Sequence, residues 1–286
     1  MILLTGVTGT TGSLLLNALK NKNVAMRAML RDPDKLKDAD IPGLEIVQGD
    51  YEDEASLEKA MQGVDRAFML MPNIEQQLVN EKRFVDVARR VGVGHLVKLS
   101  ASKADANSSA KLKSYHGQAE EYMAESGLTY TSVRPNFYMQ NMLHSIPTIA
   151  ADNKFFLPMR DGGVGLIDVE DVAEFLAHVL TEDGHENKIH FITGSEVLSF
   201  SDIAQQMSDA LGREISYIDI PAEDFSAQLR QFGTDEWYVD AVKDLFELIA
   251  SGDGASTTDT FAEVCGRAPV TFRQFMEKHK AAFSAS

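Results

Sequence analysis

The sequence predicts a doubly wound α/β fold, in which a parallel sheet carries helices on both faces, followed by a smaller and mostly helical C-terminal cap domain. Two observations predict the sheet. Short apolar runs alternate with longer stretches of helical spacing, and the first run leads into a glycine-rich turn. A third observation predicts the cap domain: the regular alternation of strand-like and helix-like segments is lost after Asn136.

The strands of the first half are predicted from short apolar runs, and the helices from spaced apolar residues between those runs. After the first run, at Leu3, the predicted strands are 24–30, 44–47, 67–71, 95–99 and 129–133. The predicted helices are 13–20 and the segments that contain Leu57 and Met61, or Phe84, Val87 and Val91.

The second half has weaker signals, and glycine and small polar residues mark its loops. The elements predicted there are a glycine-rich turn at 161–165, a helix that begins near Asp168, a strand at 188–193, a helix after Ser199, and two last helices at 235–249 and 271–283. We assign residues 1–150 to the main domain, expect 164–193 to return to it, and assign 194–286 to the cap.

The composition is that of an ordinary globular protein, with 44% hydrophobic and 24% charged residues among 286. A formal charge of −16 would repel a phosphate backbone, so no nucleic-acid partner is expected. No apolar run approaches the ~18 residues of a membrane helix. Met1 leads directly into the first apolar run, so we expect a cytoplasmic protein. The single cysteine, Cys265, excludes an intramolecular disulfide and is expected to be buried.

Three glycines, Gly6, Gly9 and Gly12, follow the first predicted strand with the spacing G-x-x-G-x-x-G. Glycines there permit a tight turn, a close approach of backbone to a pyrophosphate, and close helix–strand packing, while the free amides of the helix favour anions. The pattern therefore predicts a dinucleotide-binding turn; the alternative is a tight corner without a ligand. We expect a side chain at Gly9 or Gly12 to block the pyrophosphate and leave the fold largely intact. Hydroxyl groups for phosphate oxygens are expected from Thr8, Thr10 and Thr11.

The residue that selects the nucleotide is expected at the end of the second strand, about 20 residues after the glycine turn. Arg31 lies there and Asp32 follows it. A guanidinium pairs with a 2′-phosphate, whereas a carboxylate accepts a hydrogen bond from a free 2′-hydroxyl. Because Arg31 comes first, we favour NADP, bound as NADPH. In the alternative, Asp32 binds the ribose of NAD and Arg31 is a solvated surface charge.

Five segments together resemble the NmrA-like atypical short-chain dehydrogenases, most closely their triphenylmethane reductases and NADPH-dependent quinone oxidoreductases. The segments are TGVTGTTG, LRDP, GDYED, SGLTYTSVRPNF and LTEDGHENK, and the resemblance covers nearly the whole chain. It implies a Rossmann domain, bound NADPH and a substrate pocket between two domains. It also implies that Asp50 lies near the adenine, that Asn136 approaches the nicotinamide, and that the cofactor cleft is lined by Leu70, Met71 and Pro72.

The acid–base pair of standard short-chain dehydrogenases is missing. In that pair a lysine lowers the pKa of a tyrosine four residues earlier, so that the phenol can exchange a proton with a carbonyl oxygen. Tyr115 is followed at this spacing by Ala119, and the alternative alignment places Leu112 and His116 in the two positions. His116 is expected to hold the nicotinamide ribose or to donate a proton; the alternative is a histidine on a partly exposed helix face.

Ser100 ends the predicted strand HLVKLS, where the wider superfamily has a serine or threonine beside the substrate. A hydroxyl that only satisfies a local backbone group is the alternative. No H-E-x-x-H or calcium-loop pattern is present, so no metal site is expected. His185 and Glu186 lie in a predicted surface turn.

Flat and polarizable side chains are concentrated where the main domain leads into the cap. Such a lining suits a planar apolar substrate, and ordinary core packing is the alternative. The candidate substrate-binding residues are Phe137, Tyr138, Met142 and Phe155.

The sequence thus predicts an NADPH-dependent reductase that transfers hydride to a planar, electron-poor acceptor such as a quinone or a cationic or azo dye. Hydride transfer to a conjugated acceptor needs little proton chemistry, which suits a site without tyrosine and lysine. The alternative is a non-catalytic protein that senses NADP(H) and binds a protein partner. Besides the small-molecule substrate, a second copy of the chain is left open as a partner, as a homodimer.

Overall fold

The computed structural model describes residues 1–36 and 41–284. Its strands are β1 Ile2–Leu4, β2 Met26–Leu30, β3 Leu44–Gln48, β4 Arg66–Met69, β5 His95–Leu99, β6 Tyr130–Pro135, β7 Lys154–Leu157, β8 Gly163–Val164, β9 Lys188–Ile192, β10 Leu198–Ser199 and β11 Ser216–Asp219.

Helices follow most of these strands, and two short segments, Pro33–Leu36 and Met139–Ser145, form 3-10 helices. The α-helices are α1 Thr10–Lys20, α2 Glu54–Met61, α3 Gln77–Val91, α4 Lys111–Glu125, α5 Ile146–Asp152, α6 Val169–Thr181, α7 Phe200–Leu211, α8 Ala222–Gln231, α9 Glu236–Ala250, α10 Thr260–Cys265 and α11 Phe272–Ser284. None of these described helices has the length and apolarity needed to span a membrane.

The main sheet has seven strands in the order β3, β2, β1, β4, β5, β6, β9. From β3 to β6 every neighbouring pair is parallel, and Leu3 pairs with Arg27 on one side and Ala67 on the other. The strand order reverses at β1, and ligands of such sheets bind at the carboxyl ends of the strands beside this reversal. The prediction of a doubly wound parallel sheet is confirmed.

The described chain forms two compact units. The first unit comprises Met1–Ser108, Lys113–Arg134 and Val172–His190, and the second comprises Ser109–Leu112, Pro135–Asp171 and Phe191–Ser286. The second unit is mostly helical and also contains two small sheets, a parallel pair of β7 with β11 and an antiparallel pair of β8 with β10. The assignment of functional domains to 1–150 and 194–286 stays a prediction.

Polar contacts fix the start of α6 and correct one expectation about the cysteine. Asp168 is buried, and its Oδ1 accepts hydrogen bonds from the backbone N–H of Glu170 at 2.9 Å and from Gln140 Nε2 at 2.6 Å. It therefore caps α6, which begins where the sequence predicts a helix. Cys265 is half-buried, because it lies in the last turn of the short helix α10.

Buried histidines lie in the first unit, beside the edge strand β9. His95 Nε2 lies 2.8 Å from Thr131 Oγ1, and that hydroxyl donates to the carbonyl of His185 at 2.6 Å. His185 Nδ1 lies 3.2 Å from His190 Nε2. The expected turn is present, but the His185 side chain within it is buried rather than exposed, because these contacts and the ring of His190 cover it.

We predict that His190 makes the protein sensitive to acid. Burial, together with the nearby His185 and Lys188, lowers the pKa of His190 to about 4, so between about pH 6.5 and 4 the unfolded chain binds a proton that the native state does not. The free energy of unfolding therefore decreases as the pH is lowered through this window. His190→Phe is expected to remove about 2–3 kcal/mol of that loss, as measured by urea denaturation at pH 7 and pH 4.5.

The matched control is His144→Phe at an exposed position, which should leave the acid sensitivity unchanged. An equal loss of stability in wild type and His190→Phe between the two pH values would contradict the assignment.

Candidate functional site

The turn after β1 is shaped by two glycines that cannot carry a side chain. Gly6 has φ +66°, and a Cβ on it would lie 2.8 Å from the side chain of Leu70. A Cβ on Gly12 would lie 2.1 Å from the carbonyl oxygen of Gly6, well inside any normal contact. These two glycines therefore allow α1 to pack directly on the end of β1.

Gly9 has a different role. Its backbone is extended, it is exposed, and a Cβ there would lie 3.4 Å from the Gly6 carbonyl oxygen, which is ordinary contact. In the part of the chain that the structure describes, no side chain caps α1 at this residue. The first N–H groups of an α-helix have no carbonyl acceptor within the helix. Those of α1 therefore remain available to an anion. This cradle fits a pyrophosphate.

The predicted hydroxyl groups of this turn differ in exposure. Thr8 and Thr10 are exposed beside Gly9, where they can reach a phosphate. Thr11 is buried, with 7% of its surface exposed, because the close packing of α1 covers it. Its predicted contact with a phosphate oxygen is therefore not favoured by its position.

A hydroxyl network below the turn joins the ends of β1 and β4 to the segment after β3. Thr5 Oγ1 donates to the carbonyl of Phe68 at 2.9 Å and accepts from the backbone N–H of Leu70 at 2.9 Å. The phenol of Tyr51 donates to Thr5 Oγ1 at 2.7 Å. Burial raises the pKa of Tyr51, so its phenol stays protonated and keeps donating. Isolated hydroxyl residues carry no sequence pattern, so this network could not be predicted from the sequence.

The residues expected near the cofactor cleft follow β4. Leu70 is half-buried and packs against Gly6, Met71 is buried, and Pro72 is exposed. Of the three, Pro72 has the most exposed side chain and Met71 the most buried one. Their contact with a cofactor stays a prediction.

Arg31 and Asp32 follow β2 directly, and both are exposed. Asp32 Oδ1 accepts a hydrogen bond from the backbone N–H of Asp34 at 3.2 Å, which begins the 3-10 helix. Within residues 1–36 and 41–284 the Arg31 guanidinium has no carboxylate partner. Asp32 keeps its second carboxylate oxygen, so the choice between Arg31 and Asp32 as the nucleotide-selecting residue stays a prediction.

Asp50 follows β3 at the same edge of the sheet and is half-buried. Its Oδ1 accepts from the backbone N–H of Glu52 at 3.0 Å, and its own N–H donates to Ser56 Oγ at 2.9 Å. These bonds hold the loop before α2, where Asp53 is the helix cap. One carboxylate oxygen of Asp50 remains for a ligand.

His116 lies on α4 with 7% of its surface exposed, in contrast to a histidine on a partly exposed helix face. Its Nε2 lies 3.4 Å from Nε2 of Gln77, and Gln77 Nε2 lies 3.3 Å from Glu81 Oε1. Glu81 forms a fully buried ion pair with Lys98 of β5. Burial, and then the positive charges of Lys98 and Arg134, hold the pKa of His116 well below its usual range. The imidazole is therefore neutral at pH 7.

In α4 the four-residue spacing of a tyrosine–lysine pair is not present, since Tyr115 is followed at that distance by Ala119 and His116 is preceded by Leu112. Leu112 and Ala119 are both buried apolar residues of α4. Ser100 is buried at the end of β5, and its hydroxyl has no partner among the described residues. The alternative that it satisfies a local backbone group is not favoured, and its role beside a substrate stays a prediction.

In the second unit, Asn136 holds the loop that precedes α10. Its amide nitrogen donates to the carbonyls of Gly254 at 3.0 Å and Ser256 at 3.3 Å, while its oxygen accepts from the N–H of Phe137 at 2.8 Å. Both the nitrogen and the oxygen of the amide are thus hydrogen-bonded within the protein. Its predicted approach to the nicotinamide stays a prediction, and the structure assigns its side chain a positioning role.

The predicted substrate-binding residues, all in the second unit, fall into two pairs. Met142 and Phe155 have 1% and 0% of their surface exposed and belong to the core, where Phe155 stacks on Tyr217 with ring centroids 5.3 Å apart. Burial of these two favours the core-packing alternative, and their contact with a substrate stays a prediction. Phe137 and Tyr138 are only half-buried, so they remain candidates.

Comparison with known proteins agrees with this architecture. The model of the NmrA-like family matches residues 1–258. The NAD(P)H azoreductase of Xenophilus azovorans is 32% identical over 286 residues, which cover 100% of both chains. The structure of an NADPH-dependent quinone oxidoreductase from Escherichia coli, complexed with NADPH, is 26% identical with a TM-score of 0.89, covering 97% of this chain and 99% of that chain. The triphenylmethane reductase of Citrobacter sp. has the same fold, with 24% identity, a TM-score of 0.87 and coverage of 98% and 99%.

We predict that Gly9 and Gly12 respond differently to substitution. Gly12→Ala should lower the free energy of unfolding by about 1–3 kcal/mol, since its Cβ cannot fit against Gly6. Gly9→Val should fold normally and weaken NADPH binding at least about tenfold, because the side chain occupies the approach to the free amides. Thermal unfolding and calorimetric titration of both variants measure the two effects.

This replaces the expectation that a side chain at either glycine leaves the fold largely intact. Unchanged NADPH affinity in folded Gly9→Val would show that the turn is only a corner.

Proposed function

This chain belongs to the NmrA-like family, and we propose that it is an NADPH-dependent reductase whose acceptor is a planar, electron-poor small molecule such as a quinone or an azo or triphenylmethane dye. Its relatives, an azoreductase that uses NAD(P)H and an NADPH-dependent quinone oxidoreductase, support an NAD(P)H-dependent oxidoreductase. The observation that supports the acceptor class is the buried, neutral His116, on a helix whose sequence lacks the four-residue spacing of a tyrosine–lysine pair.

The residues of the first unit fit the nucleotide. The free amides of α1 and the hydroxyls of Thr8 and Thr10 would bind the pyrophosphate, and Arg31 would bind the 2′-phosphate as a charge-assisted fork. Asp50 offers one carboxylate oxygen at the same edge of the sheet. When bound, NADPH supplies a hydride to the acceptor.

His116 acts in this proposal as a hydrogen-bond donor rather than as a strong acid. Its pKa is too low for it to be protonated at pH 7, but the N–H of a neutral imidazole can donate to the oxygen or nitrogen of the acceptor on which negative charge develops. An alcohol dehydrogenation or an epimerisation needs a group that exchanges protons with a hydroxyl, and Leu112 and Ala119 cannot supply one. A conjugated acceptor delocalises the negative charge that hydride transfer creates, so its reduction depends less on a proton-exchanging group.

Two groups support the acceptor class in addition. Phe137 and Tyr138 in the second unit are half-buried, with the Phe137 ring also packed against Phe200 and Phe246, and the surface that remains can stack on a planar molecule. The unpartnered hydroxyl of Ser100 in the first unit is a second donor for a carbonyl or azo group.

We predict that Arg31 selects NADPH over NADH. A charge-assisted hydrogen bond contributes roughly 1.5–3 kcal/mol, so Arg31→Ala should lower NADPH affinity by about tenfold to a few hundredfold and leave NADH affinity nearly unchanged. Dissociation constants of both nucleotides measure this. Lys20→Ala, which removes an exposed positive charge at the end of α1, is the control for nonspecific attraction. A wild-type preference for NADH, or a ratio that Arg31→Ala does not change, would refute the assignment.

We predict that His116→Ala lowers kcat by about tenfold to a hundredfold and leaves NADPH affinity unchanged, because the lost hydrogen bond forms to developing charge. Steady-state assays with NADPH and a panel of benzoquinones, azo dyes and triphenylmethane dyes measure this, with His144→Ala as the exposed-histidine control.

Absence of turnover with every acceptor, together with tight NADPH binding and a protein recovered in a pull-down, would replace the reductase with the nucleotide-sensing alternative.

A further inference from the structure

A row of buried polar side chains connects β5 to α4 inside the first unit. Lys98, Glu81 and Gln77 have 0–1% of their surface exposed, and His116 has 7%. The row runs from the ammonium of Lys98 to Glu81 Oε1, then over 3.3 Å to Gln77 Nε2, and over 3.4 Å to His116 Nε2. Gln77 Oε1, Glu81 Oε2 and His116 Nδ1 have no partner among the described residues, so the contacts that do form decide which atoms of the row carry protons.

The charges of the row fix the orientation of the Gln77 amide. Glu81 Oε1 is paired with Lys98 and can only accept, so the atom of Gln77 that faces it must be the NH₂ group. The same nitrogen lies beside His116 Nε2 and donates its second hydrogen there. His116 Nε2 is therefore unprotonated.

The proton of the neutral imidazole then lies on Nδ1. Because the pKa of His116 is lowered by burial and by Lys98 and Arg134, the ring carries one proton, and the contact with Gln77 excludes Nε2. Nδ1 is buried and has no protein partner within the described chain. A buried donor without an acceptor is unfavourable, which suits an atom that awaits a ligand.

We propose that Gln77 is a positioning residue that fixes His116 as the Nδ1–H tautomer, so that Nδ1 donates to the heteroatom of the acceptor being reduced, and that the Lys98–Glu81 pair holds Gln77 in this orientation. The inference rests on the proposed reductase function for the role of the donor. The tautomer itself follows from the contacts of Gln77 and can be tested without any substrate.

The experiment is long-range ¹H–¹⁵N correlation NMR of the imidazoles in the uniformly labelled full chain at pH 7. The chain has seven histidines, so the signals of His116 are identified by their loss in His116→Gln. Wild type should show the proton on Nδ1. Gln77→Met, which keeps the side-chain length and removes the amide, should shift His116 toward the Nε2–H form. Gln118→Met is the matched control, because its amide donates to Ser114 on the same helix.

Kinetics give the second readout. Gln77→Met should lower kcat by about tenfold with an unchanged dissociation constant for NADPH, and should change kcat less than about twofold in a His116→Ala background. An Nε2–H tautomer in wild type would overturn the inference, as would an unchanged tautomer in Gln77→Met. Either result leaves the reductase proposal intact if quinones or dyes are turned over. A protein that shows the Nδ1–H form but reduces no acceptor would refute the proposed function instead, and with it the role of Nδ1 as a donor to the acceptor.

Discussion

The approach of α1 to the backbone of Gly6 is the constraint on which the nucleotide-binding arrangement depends. A Cβ on Gly12 would lie 2.1 Å from the Gly6 carbonyl oxygen and 2.9 Å from the Cα of Val7, so the helix can lie this close only because residue 12 is glycine. The approach sets the first turn of α1 beside the end of the central strand β1, where the strand order reverses. The free amides of the helix thus lie at the edge where ligands of this fold bind.

The same turn is held from its other side by Thr5, Tyr51 and Leu70. Thr5 follows β1, Tyr51 comes from the segment after β3, and Leu70 follows β4, so one hydroxyl network joins the ends of three strands. Leu70 also provides the wall against Gly6. The position of the turn is therefore determined by the packing of α1 on Gly6 and by the hydrogen bonds of Thr5, before any ligand binds. Such preorganisation lowers the entropy that binding must otherwise overcome.

Much of the first unit could be predicted because each central strand is a local apolar run and the glycine spacing is local too. The pairing of β7 with β11 could not, since it joins residues about 60 positions apart and no turn signals it. The interior row of Lys98, Glu81 and Gln77 was also hidden, because polar residues at buried positions contradict the apolar pattern that identifies a core. Met142 and Phe155 show the reverse problem: aromatic and sulfur side chains suit a ligand pocket and a core equally, and only tertiary packing separates them.

The ion pair of Lys98 and Glu81 restricts how this chain can change during evolution. Loss of either residue alone would leave a buried charge without its partner, at a cost of about 3–5 kcal/mol, which is a large part of the stability of a typical domain. Replacement of both by apolar residues of similar volume can be nearly neutral for stability. Substitutions at the two positions are therefore coupled. A sequence in which one residue of the pair is replaced is poorly stable unless the other is replaced as well.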